Sequence, residues 1–187
     1  MFFLFLSSCQ QQKEVKVEGD LKKWHRITLN FEGPQASEMD ENNPFLDYRL
    51  DVTFKNNKKE YIIPGFYATD GNAAETSSSS GNIWQVRFTP DDIGEWTYSV
   101  SFKKGDNIAV SDDLSKAFSA GFMNGQTGTF TISESDKTGM DNRVKGRLQY
   151  VGQSYLKFAE SQKYFIKLGV DAPENLLAYT DFDVSTN

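Results

Sequence analysis

Residues 82–102 read Asn-Ile-Trp-Gln-Val-Arg-Phe-Thr-Pro-Asp-Asp-Ile-Gly-Glu-Trp-Thr-Tyr-Ser-Val-Ser-Phe, and this stretch decides the fold class. Large apolar residues alternate with polar ones on both sides of a Pro-Asp-Asp-Ile-Gly turn at 90–94. Alternation with a period of two places one face of a strand in a core and the other in solvent. Proline and glycine supply the φ angles that turns need. The stretch therefore predicts two strands that pair antiparallel with one another and bury an aromatic face.

The same alternation continues on either side of this stretch. Further strands are predicted at 27–31, 48–54, 60–63 and 128–132, with a turn at 55–58 that makes a hairpin of the second and third. A short helix is expected at 112–120. Short alternating strands separated by turn signals are typical of an antiparallel β-sandwich of immunoglobulin-like type. The predicted fold is mainly β, with the sandwich spanning residues 21–133.

The sequence changes character after residue 133. A polar stretch leads to a nearly continuous apolar run at 164–168. Such a run suits a strand buried on both faces, as in a parallel sheet or barrel. Without barrel neighbours it would be an exposed hydrophobic liability, and we expect residues 146–187 to be poorly ordered or loosely docked on the sandwich. Residues 134–187 are interpreted as a linker and the truncated start of a barrel.

The N-terminus resembles an export signal. Residues 1–9 are a short apolar run, and its end, Leu6-Ser7-Ser8-Cys9, is similar to the lipobox of bacterial lipoproteins. We expect 1–9 to be a signal remnant, Cys9 to be lipidated and 10–20 to be a polar tether. The run is shorter than the roughly 20 residues that span a bilayer. The expected location is the bacterial outer membrane or cell surface, with the periplasm as second choice. The alternative is a buried N-terminal strand with an incidental cysteine.

Composition excludes several function classes. The chain has 187 residues and a net charge of −6, which argues against nucleic-acid binding. One cysteine and one histidine leave little scope for a disulfide, a His- or Cys-based metal site or a Ser-His-Asp triad. We expect no metal or cofactor, and a structural or surface role for His25. Asp70-Gly71-Asn72 lacks the carboxylate spacing of a calcium loop, so a plain turn is expected.

Several short motifs together resemble a known family. They are Asn43-Pro44-Phe45, Pro64-Gly65-Phe66-Tyr67, Gly94-Glu95-Trp96 and the strand that begins at Trp84. They are similar to an N-terminal immunoglobulin-like domain of formally unknown function. That domain precedes the (β/α)8 barrel of apiosidase-like glycoside hydrolases in polysaccharide-degrading bacteria. Residues 146–148 and 164–183 resemble the start of such a barrel.

The resemblance implies the N-terminal fragment of an exported, lipid-anchored glycoside hydrolase. Its substrate would be a plant-type or other complex polysaccharide or oligosaccharide, with the sandwich as an accessory domain packed on the barrel. Barrel glycosidases use two carboxylates from different strands. This chain holds one barrel strand, so its catalytic residues are unknown and the fragment should be inactive. Asp171, Glu174 and Asn175 are possible substrate-loop residues, or residues that set the loop's conformation.

A second hypothesis is a stand-alone surface module that binds carbohydrate or serves as a structural spacer. Exposed aromatic side chains that stack on sugar rings would be its signature, with Tyr67 or Trp24 as candidates. Aromatic residues at alternating sandwich positions are more often core residues. The expected partner is a polysaccharide or oligosaccharide, bound by the full-length protein. The membrane is expected to be reached only through the lipid anchor, and no nucleic acid to be bound.

Overall fold

The computed structural model describes residues 15–166 and residue 169. Their regular structure is almost entirely β, which confirms the mainly-β prediction. The strands are β1 (Lys16–Glu18), β2 (Ile27–Ser37), β3 (Tyr48–Lys55), β4 (Glu60–Pro64), β5 (Phe66–Tyr67), β6 (Ser80–Phe88), β7 (Gly94–Lys104), β8 (Phe118–Ser119), β9 (Thr127–Ile132), β10 (Leu148–Gln149) and β11 (Lys157–Phe158). The helical elements are α1 (Ala73–Thr76) and 3₁₀ turns at Ile108–Val110 and Asn142–Lys145.

Two antiparallel sheets build the sandwich. The first has the strand order β1-β2-β6-β5. In the second, β3 lies between β4 and β7, and both β8 and β9 pair with the far edge of β7. The predicted hairpin is confirmed as β3 and β4, which are joined by the turn at 55–58. Asn56 closes that turn by accepting backbone hydrogen bonds from Lys58 and Lys59.

The two aromatic strands of residues 82–102 do not pair with one another, so the hairpin predicted there is wrong. β6 pairs with β2 and β5, whereas β7 pairs with β3, β8 and β9. The turn at 90–94 is a crossover between the sheets, and Gly94 has a φ of +100° there. Period-two alternation determines which face of a strand is buried but not which strand lies beside it. The predicted aromatic faces are buried nonetheless, because the two strands face each other across the core.

Aromatic side chains from both sheets interlock in this core. Phe54 of β3 stacks on Phe88 of β6, with ring centroids 4.2 Å apart. Trp84 of β6 meets Phe102 of β7 edge to face at 4.9 Å. Such pairs stabilise a core by about 0.5–1.5 kcal/mol beyond the area that they bury. The sheets are therefore held together chiefly by apolar contacts at these rings.

The first sheet begins within the segment predicted to be a tether. β1 covers three residues of 10–20 and pairs with β2, with Val17 packed against the core. Its neighbours Lys16 and Glu18 form an ion pair at 2.5 Å on the solvent side. Short, charged edge strands protect a sheet from pairing with other chains. The sandwich thus starts ahead of residue 21.

One further prediction differs from the structure. No helix forms at 112–120; instead Ser111 and Asp113 accept backbone hydrogen bonds two residues on, an arrangement that competes with helix formation. Residues 118–119 form β8. In the run 164–168, residues 164–166 are exposed, as expected for this run without barrel neighbours, and 167–168 lie outside the described residues.

Candidate functional site

The site residues predicted from the sequence lie outside the described residues. They are Cys9, Asp171, Glu174 and Asn175. Their roles stay predictions. Within the described part of the chain, no three acidic, histidine or cysteine side chains are grouped as metal ligands would be. None of the helices within residues 15–166 has the length and apolarity of a membrane-spanning segment.

Of the structural and surface roles predicted for His25, the structure shows the structural one. Its side chain is buried, with Nδ1 3.2 Å from the Asp20 carboxylate and Nε2 3.3 Å from the hydroxyl of Ser135. Asp136 lies 3.8 Å from the same ring. These contacts tie the start of β2 to the chain that leaves β9. His25 therefore belongs to the framework beneath the site described next.

Residues 134–166, here called the C-terminal segment, are fastened to one end of the sandwich by Glu160. One carboxylate oxygen accepts a hydrogen bond from the Trp24 indole at 3.0 Å and lies 2.8 Å from the Lys23 ammonium. These bonds favour the ionised carboxylate, so Lys23 first and Trp24 second hold the pKa of Glu160 below its ordinary value. Contacts between residues more than 130 positions apart in the sequence thus hold the C-terminal segment on the sandwich.

Gly146 permits the close approach of the segment to Trp24. Its φ is +75°, and a Cβ at this position would lie 2.8 Å from the Glu160 backbone nitrogen and 3.1 Å from the Trp24 ring. Residues other than glycine strain at such a φ, and real Cβ atoms essentially never come so close to a backbone atom. Glycine is therefore required here on two independent grounds.

Asp91, in the crossover between the sheets, anchors the second half of the same junction. Its Oδ2 accepts a hydrogen bond from the Tyr61 hydroxyl at 2.7 Å and lies 3.1 Å from Lys59 and 3.6 Å from Arg147. Only 6 % of the side chain is exposed, and its Oδ1 has no hydrogen-bond partner within the described residues. Burial, followed by the bond to Asp91, raises the pKa of Tyr61. Arg147 of the C-terminal segment also covers the Tyr61 ring at 5.8 Å.

The outer side of the C-terminal segment is apolar. Nine of its apolar side chains are more than a third exposed, one of them being Met140. We call the eight that lie within 148–166 the apolar C-terminal surface: Leu148, Tyr150, Val151, Tyr155, Leu156, Tyr164, Phe165 and Ile166. The segment is nonetheless ordered by internal contacts, including the pairing of β10 with β11 and an edge-to-face contact of Phe158 with Phe165 at 5.8 Å. A concentration of exposed apolar groups on a fixed segment is typical of an interaction site.

Two of the motifs quoted above meet at a cleft where the chain passes from one sheet to the other. The cleft encloses about 170 Å³ and is lined by parts of Asn43-Pro44-Phe45 and of Pro64-Gly65-Phe66-Tyr67. Phe45 and Phe66 are exposed at its rim. Arg49 and Asp51 contribute the charged groups, paired at 2.7 Å. We call it the Phe45–Phe66 cleft.

Trp24 and Tyr67, the aromatic residues suggested for sugar stacking, are both buried. Trp24 is 8 % exposed and Tyr67 is 5 % exposed. The Trp24 ring is covered near Gly146, and the Tyr67 hydroxyl donates to backbone carbonyls of Ala36 and Gly81. Neither offers a free ring face to a sugar, and both have the core role that their alternating positions favoured. The sequence did not predict that the rings of Phe45 and Phe66 are exposed, because the motifs that contain them indicate turns.

Comparison with known proteins found a family model that is similar to part of the sandwich. Residues 20–103 match the model of a domain of unknown function, DUF5060. A solved structure of a "putative glycoside hydrolase" from Bacteroides vulgatus ATCC 8482 is similar to 77% of this chain, with 30% sequence identity and a TM-score of 0.48. The chain spans 21% of the length of that protein. No curated protein matches the sequence.

Proposed function

We propose that this chain is the N-terminal part of an exported, lipid-anchored glycoside hydrolase acting on plant-type or other complex polysaccharides. The sandwich is its accessory domain and packs on the catalytic domain that follows. The observation that carries this proposal is the apolar C-terminal surface, because a segment fastened by Glu160 and Arg147 presents eight exposed apolar side chains to whatever follows it. An isolated module would gain nothing from that exposure.

The identity of the following domain is inferred from the sequence motifs. The motifs at 43–45, 64–67 and 94–96 all lie within the residues that match the family model. In the family that they resemble, this domain stands before a glycoside hydrolase barrel. The catalytic carboxylates would then come from that barrel, with Asp171, Glu174 and Asn175 as loop residues beside the substrate. The 187-residue chain by itself is proposed to be inactive.

The test is to read the gene beyond Asn187 and to express the extended protein. We expect further strand–helix units, and release of reducing sugars from at least one polysaccharide in a panel of plant and algal glycans. The double variant Asp91→Asn/Glu160→Gln should inactivate at a lower temperature than the parent while its initial rate is unchanged. A reading frame that ends at Asn187, or an extended protein that hydrolyses no glycan, would contradict the proposal.

Export and lipidation need a separate experiment. Cells expressing the natural gene would be labelled with an alkyne analogue of palmitate, with Cys9→Ser as the matched control. We expect label on the parent in the outer-membrane fraction and none on the variant. Unlabelled protein in the periplasm would support the second-choice location and disprove the anchor.

A further inference from the structure

The Phe45–Phe66 cleft lies away from the junction, and its lining has the chemistry of a small polar-ring site. Phe45, which follows Pro44, and Phe66, which begins β5 after Pro64-Gly65, are 49 % and 38 % exposed. Beneath them lie the buried side chains of Leu50, Tyr67 and Trp84. Exposed aromatic groups above an apolar floor would bind a ligand that has an apolar face.

The polar part of the cleft is fixed in place. The Arg49 Nε donates to Asp51 at 2.7 Å, and its Nη1 donates to the Ser111 carbonyl at 2.9 Å. Both side chains are on the same face of β3, two residues apart, and about a third or less of each is exposed. A guanidinium held through two of its nitrogens keeps its remaining N–H groups in a set direction, at little cost in entropy on binding.

The backbone also closes tightly around this site. Gly65 donates its N–H to the Leu50 carbonyl at 2.7 Å, and a Cβ at residue 65 would come within 2.8 Å of the Gln85 carbonyl. The link between β4 and β5 therefore packs directly on the first sheet. This packing fixes Phe66 relative to Arg49, so the cleft exists before any ligand enters.

We propose that the Phe45–Phe66 cleft binds one ring of a neutral glycan. An adjacent donor and acceptor, Arg49 and Asp51, match the two hydroxyls of a vicinal diol, each of which both donates and accepts. The Arg87 guanidinium lies over one face of the Phe66 ring at 5.0 Å, so the C–H face of the sugar ring would lie against Phe45 or the other face of Phe66. One positive and one negative group leave no net charge in the lining, which favours a neutral sugar over a uronic acid, and the volume admits one ring rather than several.

This inference goes beyond the proposed function, because it requires nothing of the following domain. The cleft and the junction involve different residues: Asp91, Glu160 and Arg147 hold the C-terminal segment, and none of them lines the cleft. A sugar held here would tether the protein to its polysaccharide whether or not a hydrolase follows.

The test uses the 187-residue chain labelled with ¹⁵N and four probes: the methyl β-glycosides of glucose, galactose, xylose and glucuronic acid. We expect at least one neutral glycoside to shift the Gly65 amide, the Trp84 indole and the Arg49 Nε resonances in a saturable way. A single ring should bind with a dissociation constant on the order of 1 mM. The glucuronide should bind more weakly, and sorbitol, which has hydroxyls but no ring, should produce no saturable shift.

Phe66→Ala should weaken binding by roughly tenfold, the loss expected for one aromatic contact. Arg49→Gln should do the same, and Phe118→Ala, which removes an exposed ring outside the cleft, should have no effect. Because Arg49 also contacts Ser111, the Phe66 variant keeps the test decisive if the Arg49 variant unfolds.

Three outcomes would overturn the inference. The first is the absence of saturable shifts with all four glycosides. The second is binding that survives Phe66→Ala or is centred elsewhere. The third is tighter binding of N-acetylphenylalanine amide than of any glycoside, which would make the cleft a socket for a protein side chain.

Discussion

Two acidic side chains, Glu160 and Asp91, hold the C-terminal segment on the sandwich in different ways. Glu160 is a partly exposed carboxylate that binds a lysine and an indole, so solvent screens part of its attraction. Asp91 is almost fully buried, and removal of a partner would leave an uncompensated charge. We therefore expect substitution of Glu160 to weaken the docking of the C-terminal segment in part, and substitution of Asp91 to abolish it.

Substitution of Gly146 should release the C-terminal segment without unfolding the sandwich. Gly146→Ala adds a Cβ that collides with the Glu160 backbone at a φ of +75°. Hydrogen exchange of amides in residues 143–160 should accelerate by roughly tenfold or more, while exchange in β2 and β6 is unchanged. Gly152→Ala is the matched control, because its φ is +74° but nothing lies within 4 Å. Equal effects of the two variants would show that backbone strain, and not the close approach, matters.

Docking of the segment should weaken in acid because of Glu160. Its pKa is lowered in the docked state from an ordinary value of 4.5, so its contribution is present above that value and lost as the pH falls through the lowered one. The Trp24 indole N–H should therefore exchange faster as the pH falls from about 6 to about 3, after correction for intrinsic rates. Glu160→Gln should remove the part of this dependence that Glu160 causes. An identical pH profile in both proteins would contradict the assignment.

At the scale of strands, the crossover from β6 to β7 determines the architecture. The loop between them spans the gap between sheets, and the Trp96 indole donates to the Asp92 carbonyl at 3.1 Å to hold it. The strands on either side then contribute opposing walls of the core. The interface between the sheets depends on aromatic rings rather than on backbone hydrogen bonds.

Truncation of one interlocking ring should therefore destabilise the whole sandwich. Phe54→Ala removes the stacking on Phe88 and opens a cavity between the sheets, with an expected loss of about 3–5 kcal/mol in the free energy of unfolding. Urea denaturation followed by tryptophan fluorescence measures it. Phe118→Ala, at an exposed site, should change stability by less than about 0.5 kcal/mol. A much smaller loss of unfolding free energy in Phe54→Ala would contradict the conclusion that these rings hold the two sheets together.

The sequence correctly predicted which face of each strand is buried, but it did not predict that β6 and β7 pair with different strands. Alternation at 48–54 and 84–88 identified the buried residues, because burial follows the side-chain period. It could not assign β6 and β7 to separate sheets, since a short turn and a crossover use the same residues. The junction was missed altogether: Glu160 lies in a polar stretch, and only the folded chain brings it to Trp24. Phe45 and Phe66 belong to two of the quoted motifs, but nothing in the spacing of those motifs indicated that they line the same cleft.

On the scale of the whole molecule, the two ends of the described chain differ in surface chemistry. The sandwich begins at a charged edge strand, whereas the C-terminal segment exposes its apolar surface. Edge charges discourage association, and exposed apolar groups promote it. Within the described residues, association should therefore involve the apolar C-terminal surface at 148–166 more than the charged edge strand.

Exposed apolar groups on the C-terminal segment should bind a fluorescent dye such as anilinonaphthalene sulfonate. The triple variant Tyr150→Ser/Tyr155→Ser/Ile166→Ser should reduce dye fluorescence and concentration-dependent association, as measured by light scattering, while leaving the melting temperature nearly unchanged. Val110→Ser, at an exposed apolar residue outside this surface, is the control. Equal dye binding by the triple variant and the parent would show that the surface is not a sticky patch.

The placement of Asp91 in the crossover also has a consequence for the order of folding. A chain made from its N-terminus forms β2 to β9 before residues 145–160 emerge, and domains generally fold in that order. The anchor at Asp91 is assembled only when both sheets have met, because its loop is the link between them. The C-terminal segment thus finds its docking site only on a finished sandwich. Docking therefore follows the folding of the sandwich, and any domain translated afterwards would begin next to a segment that is already docked.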